Sequence, residues 1–244
     1  MILIGDIGNT DTKICIVSLD YKIKKKFVFS TKNFNKINFL KKINNFKIKK
    51  SLFSSVVPEQ FFKISLILKK KYKIKTLELK NLNLNKIIKI KVNRMQVGSD
   101  RLANSIGVMT KKNNFIIIDF GTATTFDVVV KNEYNGGVIA PGILLSLNTL
   151  VKKATLIPKI NLKKVTKVIG KNTSSAVRSG FFWGYIGLID NIVQLIKKES
   201  NRNFKIVITG GFAKLFKKSL RFKFTIDENI TIKGLIKTAK LIDF

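Results

Sequence analysis

The sequence predicts an α/β protein built from two similar halves, and three observations carry that reading. The first is Phe115–Val130, FIIIDFGTATTFDVVV: an apolar, β-branched run suited to a buried strand reaches Asp119, breaks at Gly121 into small residues, and resumes as a second strand-like run. The second is the N-terminus, where MILIGDIGNTDTKICIVSL reaches Asp6, turns through Gly8, Asn9, Thr10 and Asp11, and resumes as ICIV. Overlaid, Asp6 falls on Asp119, Gly8 on Gly121 and Asn9 on Thr122, an offset of 113 positions (119 minus 6). The third is size: 244 residues, 45% of them apolar, supply a core for one large domain or two modest ones. Two halves, 1–112 and 113–244, each bringing one hairpin to a shared cleft, satisfy all three. Two unrelated strand–turn–strand units that share Asp-x-Gly are the alternative.

The turns have the chemistry of an anion grip. Gly121, Thr122, Ala123 and Thr124 leave amide and hydroxyl donors with little bulk between them and an anion. Asp119 stands where a hydrated divalent cation could bridge it to a phosphate oxygen.

Along the chain, KIKKKFVFST alternates as a third antiparallel strand, and residues 33–46 read as a short helix or a loop. SLFSSVVPE is a buried strand ending at Pro58, which suits the first turn of a helix running to Lys71. Residues 72–79 suit another strand, and 81–91 is a low-complexity run of Asn, Leu, Lys and Ile that predicts no element. Gly98-Ser99-Asp100-Arg101 then precedes an apolar periodicity, Leu102, Ile106 and Met109, which predicts a helix with Ser99 or Asp100 at or near its N-cap. Asp100 either caps that helix or accepts a proton from a substrate hydroxyl while Arg101 and the helix N-terminus hold an anionic group. The adjacency of acid and base favours the second.

Past the second hairpin the sequence predicts a turn at Asn135-Gly136, a strand over 137–140, and Pro141-Gly142 opening a helix. Glycines there mean either a plain turn or the close approach of another backbone or a ligand. Residues 169–199 read as a long helix with Thr173 at its start. Its Gly180, Gly184 and Gly187 suit tight helix packing or a subunit contact. FKIVITGGFAK is a strand ending in Thr209-Gly210-Gly211 and entering a helix; the glycines either make an ordinary αβ turn or let an aromatic ring such as adenine lie against the backbone. Residues 232–242 read as a final helix.

Composition excludes several chemistries. A net charge of +33, from 47 basic and 14 acidic residues, would suit a nucleic-acid or membrane-surface binder. The lysines are scattered through every segment, however, and no basic block is interleaved with base-stacking aromatics. A bias towards residues with AT-rich codons, with lysine filling exposed positions, is the preferred reading. Without histidine there is no imidazole base, no Ser–His–Asp triad and no His-ligated metal. Proton transfer then falls to a carboxylate, Lys, Tyr or Cys, and any metal is a hard cation held by oxygen. Asp6, Asp11, Asp100, Asp119 and Asp127 gather in three short stretches, which is where chemistry is expected. The lone Cys15 reads as a small core residue of a reducing compartment rather than a nucleophile. No 18-residue apolar run appears, and Asp6, Asn9 and Asp11 interrupt what a signal peptide keeps uncharged, so the expectation is a soluble cytoplasmic protein away from membranes.

In order and spacing, DIGNTDTK, GSDR, DFGTATTFD, GGVIAPG, GKNT and ITGG resemble the motifs of type III pantothenate kinases, members of the actin, heat-shock-chaperone and sugar-kinase superfamily, over essentially the whole chain. The resemblance implies a duplicated ribonuclease-H-like (actin-like ATPase) fold, with two mixed-sheet half-domains flanking a nucleotide cleft. The first half would hold one phosphate loop and the acceptor-binding stretch, and the second half the other phosphate loop and the adenosine-side glycines. It implies a homodimer and ATP-dependent phosphorylation of pantothenate, the first step of coenzyme A synthesis, with Mg²⁺ and a monovalent cation, K⁺ or NH₄⁺. Carried over residue by residue, Asp6, Ile7, Gly8, Asn9, Thr10, Asp11, Thr12 and Lys13 form the first ATP-phosphate loop, with Asp6 also open to Mg²⁺. Asp100 is the general base, and Gly98, Ser99 and Arg101 complete the pantothenate-binding stretch. Asp119 holds the monovalent cation, Thr122 contacts ATP, Thr173 contacts pantothenate beside the dimer interface, and Gly210 and Gly211 match the adenosine end. Lys91 and Arg94 stand where the family usually shows a tyrosine and a proline. The other readings are a non-catalytic regulatory relative, against which the retained Asp6, Asp100 and Asp119 count, and a basic nucleic-acid-binding protein.

Overall fold

The alternating apolar runs at the N-terminus become strands. In the computed structural model, which describes residues 1–242, β1 (Ile2–Ile7), β2 (Asp11–Val17) and β3 (Ile23–Ser30) form an antiparallel meander. Next comes α1 (Lys36–Ile43), N-capped by Asn35, whose side chain accepts the Asn38 N–H at 2.9 Å; the cap decides for helix over loop here. β4 (Lys50–Ser55) pairs in parallel with β1. α2 (Pro58–Tyr72) opens on Pro58, as expected, and ends at Lys73 in the left-handed conformation, φ 56°. Because α2 consumes Tyr72, the next strand, β5 (Thr76–Glu78), is shorter than the expected 72–79. The sheet order β3-β2-β1-β4-β5 places β1 at the centre. A 3-10 turn at Leu79–Asn81, the short β6 (Lys89–Ile90) and a second 3-10 turn at Arg94–Gln96 lead into α3 (Ser99–Val108). These elements belong to one compact unit, residues Met1–Met109, Asn132–Asn135 and the chain from Asn229 on. Its core includes Leu3, Ile14, Phe29, Phe39, Phe53 and Ile64, each contributing about 1.5–3 kcal/mol if fully buried. Cys15 is buried as well, and burial pushes its thiol pKa up to about 11, which suits the core role and no nucleophilic one.

The second unit comprises Thr110–Lys131 and Gly136–Glu228. β7 (Asn114–Phe120) and β8 (Ala123–Val130) form its hairpin. β9 (Glu133–Pro141) starts in the first unit, where Glu133 and Tyr134 pair with Lys89 and Ile90, and continues beside β8. The expected turn at Asn135-Gly136 is therefore corrected. Lys131, at φ 55°, and Asn132 reverse the chain first, and Gly136, at φ 94°, lies inside β9. Asn-Gly is a strong hairpin signal, but here it bends a strand already paired. After α4 (Ile143–Lys153), α5 (Thr173–Ser200) begins at Thr173 rather than 169, because Asn172 closes a capping box with Ser175 and leaves the preceding residues in a loop. β10 (Lys205–Gly210) pairs in parallel with β7, α6 (Ala213–Phe216) is a single turn, and β11 (Thr225–Ile226) pairs in parallel with β10. Phe120, Phe182 and Tyr185 stack on Phe216 in the core, with ring centroids 5.2, 5.8 and 6.5 Å away.

The chain then returns to the first unit as α7 (Ile230–Leu241), which packs on α3, β1 and β4. A Cβ on Gly234 would lie 1.8 Å from the Ala103 carbonyl oxygen, so only glycine permits that helix contact. Read from the opposite edge, the second unit's strands run β9-β8-β7-β10-β11, matching β3-β2-β1-β4-β5 strand for strand, with β8 antiparallel to β7 as β2 is to β1, and β10 parallel to β7 and β11 as β4 is to β1 and β5. The α/β class and the duplication expected from the sequence are both present.

Candidate functional site

In the first unit, Asp6 sits near the end of the central strand, opposite Lys13 on β2 and Ser54 on β4. Directly opposed residues of an antiparallel pair share a sheet face, so Lys13 and Asp6 project from the same side of the sheet. Ser54 Oγ donates to Asp6 Oδ1 at 2.6 Å, fixing one carboxylate oxygen. The Gly8 N–H donates to the Asp11 carbonyl at 2.9 Å and closes the turn. Thr31 braces it: its Oγ1 donates to the Gly8 carbonyl at 2.7 Å and its N–H to the Thr10 carbonyl at 2.8 Å. Asn9, Thr10 and Asp11 are exposed, whereas Ile7 and Thr12 are buried and frame the loop from below. Sequence reasoning did not single out Ser54 or Thr31. A lone hydroxyl in an apolar run carries no local signal when its partner lies 48 or 23 positions away.

In the second unit, Asp119 is opposite Thr125 on β8 and Thr209 on β10. The Gly121 N–H donates to the Ala123 carbonyl at 3.0 Å, and Gly121 and Thr122 are exposed. Gly142 is pressed against this turn, since a Cβ there would lie 2.0 Å from the Thr122 carbonyl oxygen. The close approach suggested by Pro-Gly is thus to the turn's own backbone. Gly210 and Gly211 separate in role. Gly210 has φ 87°, and a Cβ on it would come within 2.6 Å of the Phe120 backbone, so the fold itself demands glycine. Gly211 has nothing within 4 Å of a Cβ position, which leaves its surface open.

The Gly98–Arg101 stretch forms the start of α3, with Gly98 as N-cap and Ser99 and Asp100 as the first two helical residues. No side chain caps this helix; Asp100 Oδ1 instead accepts the adjacent Arg101 N–H at 2.8 Å. That carboxylate lies over Gly98, where a Cβ would be 2.6 Å from Oδ1. Burial raises the Asp100 pKa, and the Arg101 N–H and guanidinium pull it back down. Thr173 is the first, exposed residue of α5. Lys91 Nζ lies 3.6 Å from Glu133 Oε1, and the Arg94 guanidinium donates to the Lys80 carbonyl at 2.7 Å and to the Leu82 carbonyl. Both departures from the family pattern are therefore tied into the scaffold. Gly180, Gly184 and Gly187 are exposed on α5, with nothing within 4 Å of any Cβ position, so tight packing within the chain is not their role.

Among the described residues, no three or more His, Cys, Asp or Glu side chains gather to hold a metal. A cation at Asp6 or Asp119 would be held by one carboxylate together with hydroxyl, phosphate and water oxygens, and this oxygen donor set fits Mg²⁺ or an alkali cation. Among the described residues no helix is long and apolar enough to cross a membrane, and no lysine is buried.

Residues 2–195 match the family model for type III pantothenate kinase. The type III pantothenate kinase of Pelagibacter ubique (strain HTCC1062) is 60% identical over 247 residues, covering 99% of this chain and 100% of that one. Among solved structures, a Campylobacter jejuni protein described as a Baf family transcriptional activator superposes with a TM-score of 0.63 at 20% identity, covering 99% of this chain and 98% of its own. A glucokinase from an Antarctic psychrotroph superposes with a TM-score of 0.53 at 10% identity, covering 100% of this chain and 99% of its own. At those identities the two structures speak for the fold alone, that of sugar kinases and actin-like ATPases. By its family model and its full-length relative, the chain belongs to the type III pantothenate kinase family.

Proposed function

We propose that the protein transfers the γ-phosphoryl group of ATP to the hydroxyl of pantothenate, giving 4′-phosphopantothenate for coenzyme A synthesis, with Asp100 as general base. The observation that carries the assignment of the base is Asp100 itself: a partly buried carboxylate at the start of α3, held by one backbone N–H, with a raised pKa. In this reading the residues from Asp6 to Lys13 hold the ATP phosphates through the exposed turn and the Lys13 ammonium. Thr122 contacts ATP from the second turn, and the adenosine lies on the Gly210-Gly211 side, where Gly211 is open. Asp6 is the ligand for Mg²⁺ and Asp119 for the monovalent cation; when bound, these ions offset the charge spread over the transferring phosphoryl oxygens. Gly98, Ser99, Arg101 and Thr173 orient pantothenate. Asp100 takes the hydroxyl proton as the alcohol oxygen bonds to the γ-phosphorus and the bond to the β,γ-bridging oxygen breaks, with ADP leaving. The open glycine face of α5 supports a homodimer, and the ATP requirement supports a cytoplasmic location.

The test is ATP turnover by the purified protein with and without pantothenate. Asp100→Asn should lower kcat by about 10²–10⁴-fold while ATP still binds. Only the ionised carboxylate accepts a proton, and burial raises its pKa, so kcat/KM for pantothenate should fall with decreasing pH at a point above the ordinary aspartate value of about 3.9. Turnover indifferent to pantothenate would leave the substrate assignment without support, and full activity in Asp100→Asn would remove Asp100 from its role.

A further inference from the structure

The 78–82 segment is bolted to the 94–101 segment. Lys80 Nζ donates to the Met95 carbonyl at 2.6 Å, and the Arg94 guanidinium donates back to the Lys80 and Leu82 carbonyls. At the inner end of this seam stands Glu78, the last residue of β5, whose pKa is raised by burial and lowered in part by the nearby Ser99 hydroxyl and by the backbone N–H groups of Lys80, Ser55 and Asn81. Ser99 is 1% exposed. Glu78 Oε1 and Ser99 Oγ are each buried without a hydrogen bond of normal geometry, although the hydroxyl is close enough to influence the carboxylate. A buried acceptor and a buried donor that each lack a partner are costly, and a bond between the two would relieve both. Ser99 is the first residue of α3 and directly precedes Asp100.

We infer that Glu78 is a positioning residue: its Oε1 accepts the Ser99 hydroxyl when the acceptor binds and so fixes the start of α3 and the direction of the Asp100 carboxylate. The inference rests on the proposed reaction and names a group outside the stretch assigned to the substrate. Reach, rather than charge, is what the role requires. Glu78→Gln keeps an oxygen at the same distance from Ser99, whereas Glu78→Asp keeps the charge and withdraws it by one methylene.

The experiment compares steady-state kinetics of the wild type, Glu78→Gln, Glu78→Asp, Ser99→Ala and Ser99→Ala/Glu78→Asp, with folding checked by circular dichroism. Glu78→Asp should lower kcat/KM for pantothenate about ten- to a hundredfold, the scale of a slightly misplaced reacting group, and leave the KM for ATP unchanged. Glu78→Gln should stay within about threefold of wild type, since it keeps a hydrogen-bond acceptor. In the Ser99→Ala background, Glu78→Asp should cause no further loss. Wild-type kinetics in Glu78→Asp, a Glu78→Gln as impaired as Glu78→Asp, or additive losses in the double variant would each overturn the inference. Should Glu78→Asp fail to fold, Glu78→Ala takes its place: an unchanged kcat/KM for pantothenate in that variant, or a loss additive with that of Ser99→Ala, overturns the inference. A wild type that phosphorylates no pantothenate sinks the proposed function and this role with it. An active wild type with an unimpaired Glu78→Asp sinks this role alone.

Discussion

In the first hairpin Asp6 faces Lys13, seven positions on (13 minus 6), and in the second Asp119 faces Thr125, six on (125 minus 119). The first turn therefore holds one more residue, and the residue-by-residue overlay that matches Asn9 with Thr122 slips by one after it. Across the parallel neighbour the two agree in kind, Ser54 beside Asp6 and Thr209 beside Asp119. The halves keep the same frame and the same carboxylate, but only the first sets an ammonium across from it. They are also braced differently: the first turn by the hydroxyl and amide of Thr31, the second by the backbone of Gly142. A duplicated frame thus carries two chemically distinct turns, one whose carboxylate is opposed by a lysine and one whose carboxylate is opposed by a threonine.

That contrast can be broken at its strongest point by Gly142→Ala, which forces a methyl group to within 2.0 Å of the Thr122 carbonyl. Overpacking of this kind costs about 1–3 kcal/mol or more, read as a lower denaturation midpoint. An unshifted midpoint would mean that the second turn is not held by backbone contact. Next in size, Lys13→Met should lose about 1.5–3 kcal/mol of interaction with the phosphates, or about 10–100-fold in ATP KM, whereas Thr125→Val should change it little. Equal losses would erase the distinction between the lysine-opposed and the threonine-opposed turn. Thr31→Val, which removes the hydroxyl from Gly8 and Thr12 and keeps the shape, should cost about 1–2 kcal/mol in urea unfolding. The smallest effect is expected from Gly211→Ala, within about 0.5 kcal/mol in stability, against a clear loss for Gly210→Ala. If the two alanine variants were equally unstable, the division between a fold-fixed and an open glycine would fall.

Both hairpins were legible because apolar alternation and an Asp-x-Gly turn are local features. The register across each turn was not, because it depends on which backbone groups pair, and a single added residue leaves the motif's appearance unchanged. Asn135-Gly136 shows the same limit: the dipeptide suits a turn, but Lys131 had already taken the left-handed conformation that reverses the chain. At Gly142 the sequence left a plain turn and a close approach both open, and the neighbour that decides between them, Thr122, required the fold. Ser54, Thr31 and Glu78 were missed together. Each is an ordinary polar residue whose meaning comes from a partner distant in the chain. Asp100 lay between the two cases, since its segment announced a helix start, and its burial and its bond to the Arg101 N–H emerged only in three dimensions.

The first unit is discontinuous, assembled from the beginning of the chain and from α7 near its end, with the second unit's sequence threaded between. During synthesis the opening strands therefore leave the ribosome long before the helix that covers β1, β4 and α3 exists. The second unit has all of its sequence earlier, so nascent chains should acquire its protease resistance first. The unit begun first is completed only after all of the second unit's sequence has been made.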